Sequence, residues 1–380
     1  MAKLNPWSPD VPPTVDIARL EETYDGFFTP RFKLTVGDLE ITEADAVVSE
    51  VSVETTVDGA GSFEFTLAPP FDHEAGEFES IEPETGLGSA FDWEAFAAGT
   101  PVAVAMGYGD AQPTLLRGTI RSVRPDYPEG GAPTVTIHGY DGLHSLAVSR
   151  ASAASWDDVS IGDVVEGVVA EAGFAETELE DAEGTTMTYA KIERPPEVGD
   201  LAFVRELARR VGFEAFVVPA ARGEKFYFRS PGFESEPVVR VRYGESLRSF
   251  SPEVNTARQV GTVTVHGYDP VGREAITGAA ENPGGGPIAG EATGAAVLQV
   301  PVRSQQEAEV RAAAELDRRR SALVRGRGET FGIPAIRAGE TIVVDGFGGT
   351  YSGTYYVEAA THRVGSDGYT TDFAVARREA

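Results

Sequence analysis

The sequence predicts a mainly β (α+β) protein, with two related antiparallel β-barrels and a small α/β insert between them. Apolar residues alternate with period two in two separated stretches, the period becomes helical between them, and one eight-residue strand motif occurs twice. On these grounds residues 1–26 form an N-terminal arm, 27–150 the first barrel, 151–234 the insert and 235–380 the second barrel. The last includes a flexible linker at 277–294 and a helix at 304–323.

In the first stretch Val51, Val53 and Thr55 share one face, as do Phe63, Phe65 and Leu67. Residues 102–108, 115–123 and 134–140 add strands with hairpin-length connections. The intervening 71–96, acidic and broken by Gly, is expected to be a solvated loop. In the insert, Ile161, Val164, Val165, Val168 and Val169 fall on one helical face behind Ser160, with Asp163 in the capping position and Gly173 as the stop. A second helix is expected over 201–211, capped by Asp200, with Arg209 and Arg210 at its negative end and Gly212 after it. Residues 213–218 and 225–229 alternate as a hairpin. Period two returns at Val239, Val241 and Tyr243 and again at 260–268. The Gly-rich 277–294 cannot bury a core, and Ser304 with Glu307 makes a capping box for the third helix. Strands resume at 340–344, 354–360 and 369–376.

The repeat reads TVTIHGYD at 134–141 and TVTVHGYD at 262–269, differing only at Ile137 and Val265. It predicts a duplicated β domain whose two motif strands superpose. The motif offers His138, Gly139, Tyr140 and Asp141, and His266, Gly267, Tyr268 and Asp269, as candidate site residues. On a strand, His and Tyr share a face and Asp opens the turn, so a structural role is expected rather than a metal or acid–base site.

Composition narrows the chemistry. The chain has 380 residues with a formal charge of −28, so a phosphate backbone would meet repulsion and nucleic acid is not an expected partner. The lysines are Lys3, Lys33, Lys191 and Lys225 alone, and few lysines among many carboxylates suit a halophilic protein or an acidic channel lining. The absence of cysteine excludes disulfides, thiolate metal sites and cysteine nucleophiles. Neither a secretory leader nor an apolar membrane span is legible, which predicts folding in the cytosol. Residues 349–353 read GTYSG, with serine displaced from a nucleophile elbow, and 326–332 read GRGETFG, which is not a dinucleotide loop. The acidic runs 74–84 and 181–183 lack the order of a calcium loop. No catalytic residue, cofactor or metal is expected.

The strings WEAFAAGTPVAVAMGYGD at 93–110, LLRGTIRSVRPDYP at 115–128, DLAFVRELARRVGF at 200–213, YGESLRSFSPEVNTARQVGTVTV at 243–265, FGIPAIRAGETIVVDGFGGTYSGTYYVEAATHRV at 331–364 and GYTTDF at 368–373 resemble the phage late control D family. That resemblance, over roughly residues 27–378, implies a non-enzymatic baseplate hub of a contractile phage tail or contractile injection system. It implies a homotrimer whose two barrels per chain approximate sixfold symmetry, so that a threefold central spike meets a sixfold tail tube. Partners would be the chain itself, spike protein, tail tube protein and other baseplate proteins, with assembly in the cytoplasm and release in a particle. Longer members continue past the second barrel, so spike and any cell-wall enzyme are expected on separate polypeptides. A carboxylate-dependent glycan hydrolase and a monomeric β-sandwich binding module are the competing readings.

Overall fold

The computed structural model describes residues 17–45, 47–80, 91–149, 153–269, 272–284 and 292–378. Residues 1–16 of the expected arm, 81–90 of the expected loop and 285–291 of the expected linker lie outside the described residues. A 13-stranded sheet dominates. Its strands in chain order are β1 (Pro30–Val36), β2 (Leu39–Thr42), β3 (Val48–Thr56), β4 (Ser62–Leu67), β5 (Pro101–Tyr108), β6 (Thr114–Asp126) and β7 (Thr134–Tyr140). After the insert come β8 (Val239–Arg242), β9 (Leu247–Val254), β10 (Val324–Phe331), β11 (Thr341–Asp345), β12 (Gly353–Gly365) and β13 (Gly368–Arg377).

The spatial order is β9–β10–β13–β12–β3–β4–β7–β6–β5–β1–β2, with β11 and then β8 attached to the first half of β12. One pattern occurs twice: β3–β4–β7–β6–β5–β1 is matched by β9–β10–β13–β12–β11–β8. The match extends to irregularities. The β3–β4 register shifts between Val48 and Glu50, and the β9–β10 register shifts at the corresponding Leu247 and Ser249. Strand β6 shifts against β7 between Ile120 and Ser122, and β12 against β13 between Val357 and Ala359. Gly99 N–H donates to Ile120 C=O (2.8 Å) and Ile120 N–H to Thr100 C=O (3.0 Å); Gly339 donates to Val357 (3.0 Å) and Val357 to Glu340 (2.8 Å) in the same way. Gly99 and Gly339 have φ of 95° and 87°, a region that favours glycine. A bulge costs a ladder bond and is retained where it shapes the sheet, so paired bulges mark a duplicated unit. One difference remains: β1 runs antiparallel to β5, whereas β8 runs parallel to β11.

Two sequence expectations change here. The mainly β fold with two related units and an insert is as expected, but the units are joined, since their strands belong to one sheet and one apolar core runs from Leu34 and Val51 to Val357 and Val375. No ladder among the described residues closes either unit. The repeated octapeptide also does not mark equivalent strands. Thr134–Tyr140 lies in the large sheet between two antiparallel neighbours, while Thr262–Asp269 lies in a separate three-stranded sheet, antiparallel to Glu274–Glu281 and parallel to Ala295–Gln299. By position in the unit, the counterpart of β7 is β13.

Residues 274–281, partly assigned to the linker, thus form a strand. Gly278 is needed there because a Cβ would collide with the Ala308 backbone, where helix Gln305–Arg320 crosses the sheet. The acidic stretch 71–96 is likewise more than a solvated loop. Phe71–Asp72 pairs with Glu77–Phe78, and Phe78, Phe91 and Phe96 are buried together with Trp93 at their edge. Alternation is lost in that stretch because the aromatics pack as a cluster, not as a strand face.

The insert has its own core, which takes in Leu143 and Leu146 from the helix after β7. Ser160 caps helix Ile161–Val169 through the Asp163 amide (3.0 Å). Gly199, not Asp200, is the N-cap of helix Asp200–Val211; Asp200 opens the helix and pairs with Arg194. Hairpin Glu214–Pro219/Glu224–Arg229 carries Glu176–Leu179 as a parallel third strand.

The units meet where β12 pairs with β3, from Ala359 opposite Thr56 to Val364 opposite Val51. At this seam His362 is fully buried. Its Nε2–H donates to Ile336 C=O (2.9 Å), and Nδ1 accepts from Tyr369 OH (2.9 Å) and faces Thr371 Oγ1 (3.1 Å). Burial, reinforced by the Arg337 charge, lowers the imidazole to about 3, so it stays neutral. His362→Ala leaves these groups unpaired beside a cavity and is expected to lower unfolding stability by ~2–4 kcal/mol in urea titration.

Beside the seam, Glu214 of the insert hairpin bonds Tyr356 of β12. Burial raises its carboxyl to about 8, against the opposing pull of the Tyr356 hydroxyl and Arg229. Above the unfolded value of 4.5 the unfolded chain releases this proton while the folded chain holds it, so stability falls as pH rises towards the folded value. The His362 contribution runs oppositely and is lost only below 6.5. Between pH 6.5 and 8 the Glu214 contribution is expected to drop by ~1–2 kcal/mol, on top of a smaller loss from Glu224, whose carboxyl burial raises to about 7. Glu214→Gln should make that slope shallower in the same titration.

Candidate functional site

Among the described residues, two of the sheet's open edges lie at positions that follow from the seam. Strand β12 is long enough to take β11 along Gly353–Tyr356 and β3 along 359–364, with β13 on its other side. Strand β6 is equally long, 13 residues, and takes β5 along its first half and β7 on its other side. Beyond Ile120 its second half has no ladder partner on the β5 side among the described residues. Strand β9, the counterpart of β3, has β10 as its one ladder partner among the described residues.

Both open edges carry the same two-faced pattern. On β6 and just past it, Val123, Pro125 and Tyr127 alternate with Ser122, Arg124 and Asp126; on β9, Phe250, Pro252 and Val254 alternate with Ser251, Glu253 and Asn255. The corresponding seam residues on the apolar side are Ala360, His362 and Val364 facing Val51, Val53 and Thr55, all buried. On the open edges the apolar residues are half-buried or exposed, and Tyr127 is 57% accessible. Glu253 accepts from Asn255 Nδ2 (3.0 Å), and Arg124 has no ion-pair partner among the described residues.

The residues singled out by the repeat do not converge on one site. His138 meets Tyr140 edge to face (4.7 Å between ring centres), and Tyr140 stacks on His144 (4.6 Å). Gly139 is required because a Cβ would overlap the Phe63 ring and the Thr119 carbonyl; Gly267 is required because one would overlap Val302. His266 and Tyr268 are exposed, and His266 Nδ1 bonds Thr277 Oγ1 (3.0 Å). The octapeptide thus repeats a local solution, a strand closely approached at its Gly.

Asp141 is buried and accepts from Gly61 N–H (2.6 Å) and Leu143 N–H (3.0 Å), clamping the β3–β4 turn to the helix after β7. Glu224 of the insert hairpin accepts from Gly142 N–H (2.9 Å). Burial lifts Asp141 well above the usual carboxylate range, with Glu224 adding to it, and burial lifts Glu224 to about 7. Two raised carboxyls in proximity would suit acid–base chemistry. Here both are bound to main-chain amides, and the cavity they line with Arg117 and Thr55 measures ≈ 10 Å³, room for about one water and not a sugar ring. Among the described residues no three His, Asp or Glu side chains gather into a metal-ligand set.

Solved structures of tail proteins share this fold. The tail protein from Neisseria meningitidis MC58 aligns at a TM-score of 0.68 with 13% identity, covering 92% of this chain and 97% of that one. The 43 kDa tail protein of prophage MuSo2 from Shewanella oneidensis gives 0.67, 12%, 92% and 99% in the same order. The E. coli c3393 protein, a component of the type VI secretion system, gives 0.51, 15%, 88% and 75%. No curated protein matches the chain significantly. No helix among the described residues is long and apolar enough to cross a membrane. Residues 82–366, well over half of the chain, match the family described as the Alg8 N-terminal domain, and the chain belongs to that family.

Proposed function

We propose that the protein is a structural hub of a phage tail or contractile injection particle, a homotrimer that joins a threefold spike to a sixfold tube. The duplicated strand order carries this reading, because two like units per chain turn three chains into a ring of six similar parts. The fold shared with phage tail proteins and with a type VI secretion component supports it, as does the resemblance to the late control D family. Spike, tail tube and other baseplate proteins are the partners of such a ring, assembled in the cytoplasm and carried out with the particle. The role asks no catalysis of the chain, and the amide-bound Asp141 and Glu224 fit that reading better than a glycan hydrolase.

The charge bears on assembly. Each chain carries −28, and copies in a ring repel one another unless salt screens them. The screening length falls from about 10 Å at 0.1 M to about 3 Å at 1 M. Sedimentation across a salt series is expected to show a species of three times the 40.4 kDa chain mass in molar salt and dissociation in dilute buffer. A trimer indifferent to salt points instead to acidic residues lining a channel, where they repel acidic cargo. A particle that stays monomeric at every salt, even with its spike protein added, contradicts the hub reading.

A further inference from the structure

The two open edges fit one another in the register that the molecule already uses at its seam. We propose that the outer half of β6 in one copy pairs antiparallel with β9 of a second copy, as β12 pairs with β3 within the chain. This joint rests on the homotrimer reading and specifies how its copies meet. The correspondence of bulges fixes the register. Ser122 stands where Ala359 stands in β12, and Asn255 lies one residue past Val254 as Thr56 lies past Thr55. Transferred to the open edges, the seam places Ser122 opposite Asn255, Val123 opposite Val254, Arg124 opposite Glu253, Pro125 opposite Pro252 and Asp126 opposite Ser251 of the second copy.

Two features of these edges agree with that register. The apolar residues Val123, Pro125 and Tyr127 meet Val254, Pro252 and Phe250 on the face that is buried at the seam. The opposite face sets Arg124 beside Glu253, opposite charges at directly facing positions. The prolines are compatible with it. Asn255 N–H donates to Leu323 C=O on the β10 side (2.8 Å), so alternation turns the nitrogens of Val254, Pro252 and Phe250 to the open edge. Across the seam Val57 N–H bonds Glu358 C=O (3.0 Å), which makes 358, 360 and 362 the seam-facing residues of β12; their counterparts on β6 are Arg121, Val123 and Pro125. A proline in an edge strand leaves no N–H to satisfy, and two prolines face to face strand none.

The prolines also make each edge a poor template for other strands, which guards against indiscriminate edge pairing. Continuity of strands from copy to copy then gives a ring in which joints within chains alternate with joints between them. Each joint uses the same bulged strand against the same edge.

The absence of cysteine makes a clean test. Facing residues outside the hydrogen-bonded pairs have Cα atoms about 4.5 Å apart, within disulfide reach. The double variant Ser122→Cys/Asn255→Cys, oxidised in the salt where the protein sediments as an oligomer, is expected to run as covalent dimers and trimers on non-reducing gels. Arg124→Cys/Glu253→Cys should behave likewise, and the out-of-register pair Ser122→Cys/Glu253→Cys should not. Oligomers that form without in-register cross-links, or cross-link equally out of register, overturn this joint and leave the hub reading intact. A monomer at every salt and concentration overturns the homotrimer reading, and the joint with it.

Discussion

The pairing of β12 with β3 is the constraint on which the architecture depends. Each six-stranded unit could close its own core only by folding its edges together; instead the edge of the first unit is taken up by the long strand of the second. The amides of both strands are satisfied across the seam, and the apolar faces of both units merge beneath it into one core. His362 stands in the middle of that ladder and spends both ring nitrogens on buried partners, so its neutrality is a structural requirement. The long strand and its bulge provide the reach: one half serves its own unit and the other half serves the next.

A duplicated unit held this way has an arithmetic consequence. Among the described residues one long strand is fully used and its counterpart is half used, while one edge strand is covered and its counterpart has no ladder partner on its outer side. The joint proposed between copies would correct that imbalance. The remaining elements serve this frame. The insert and the three-stranded sheet with its helix stack on one another where Gly184 fits against Val310 and Gly212 against Ala314, positions with no room or no conformation for a side chain. Main-chain clamps from Asp141 and Glu224 hold that layer to the first unit.

Much of the fold was legible in the sequence because period-two alternation, Ser caps and glycine stops act locally. Helices behind Ser160 and Ser304 begin where their caps place them. The duplication was legible too, but its best-matching string was the wrong witness. The octapeptide reflects close approach of neighbouring chain at Gly139 and Gly267, a local demand that recurs in unlike sheets. The true correspondence is fainter: Ala98-Gly99 before Pro101, Val102 and Val104 against Ala338-Gly339 before Thr341, Ile342 and Val344, where a positive-φ glycine must precede the strand. The open edges were illegible, because strand pairing across hundreds of residues leaves no local signature. Only the shared alternation at 122–127 and 250–255 hinted at them.

Electron microscopy of the assembled protein, averaged along its axis, tests the central claim most directly. If each chain contributes two like units joined in the same way within and between copies, end-on averages show a closed ring of six similar lobes. A three-lobed ring, or an open chain of paired lobes, would contradict the account.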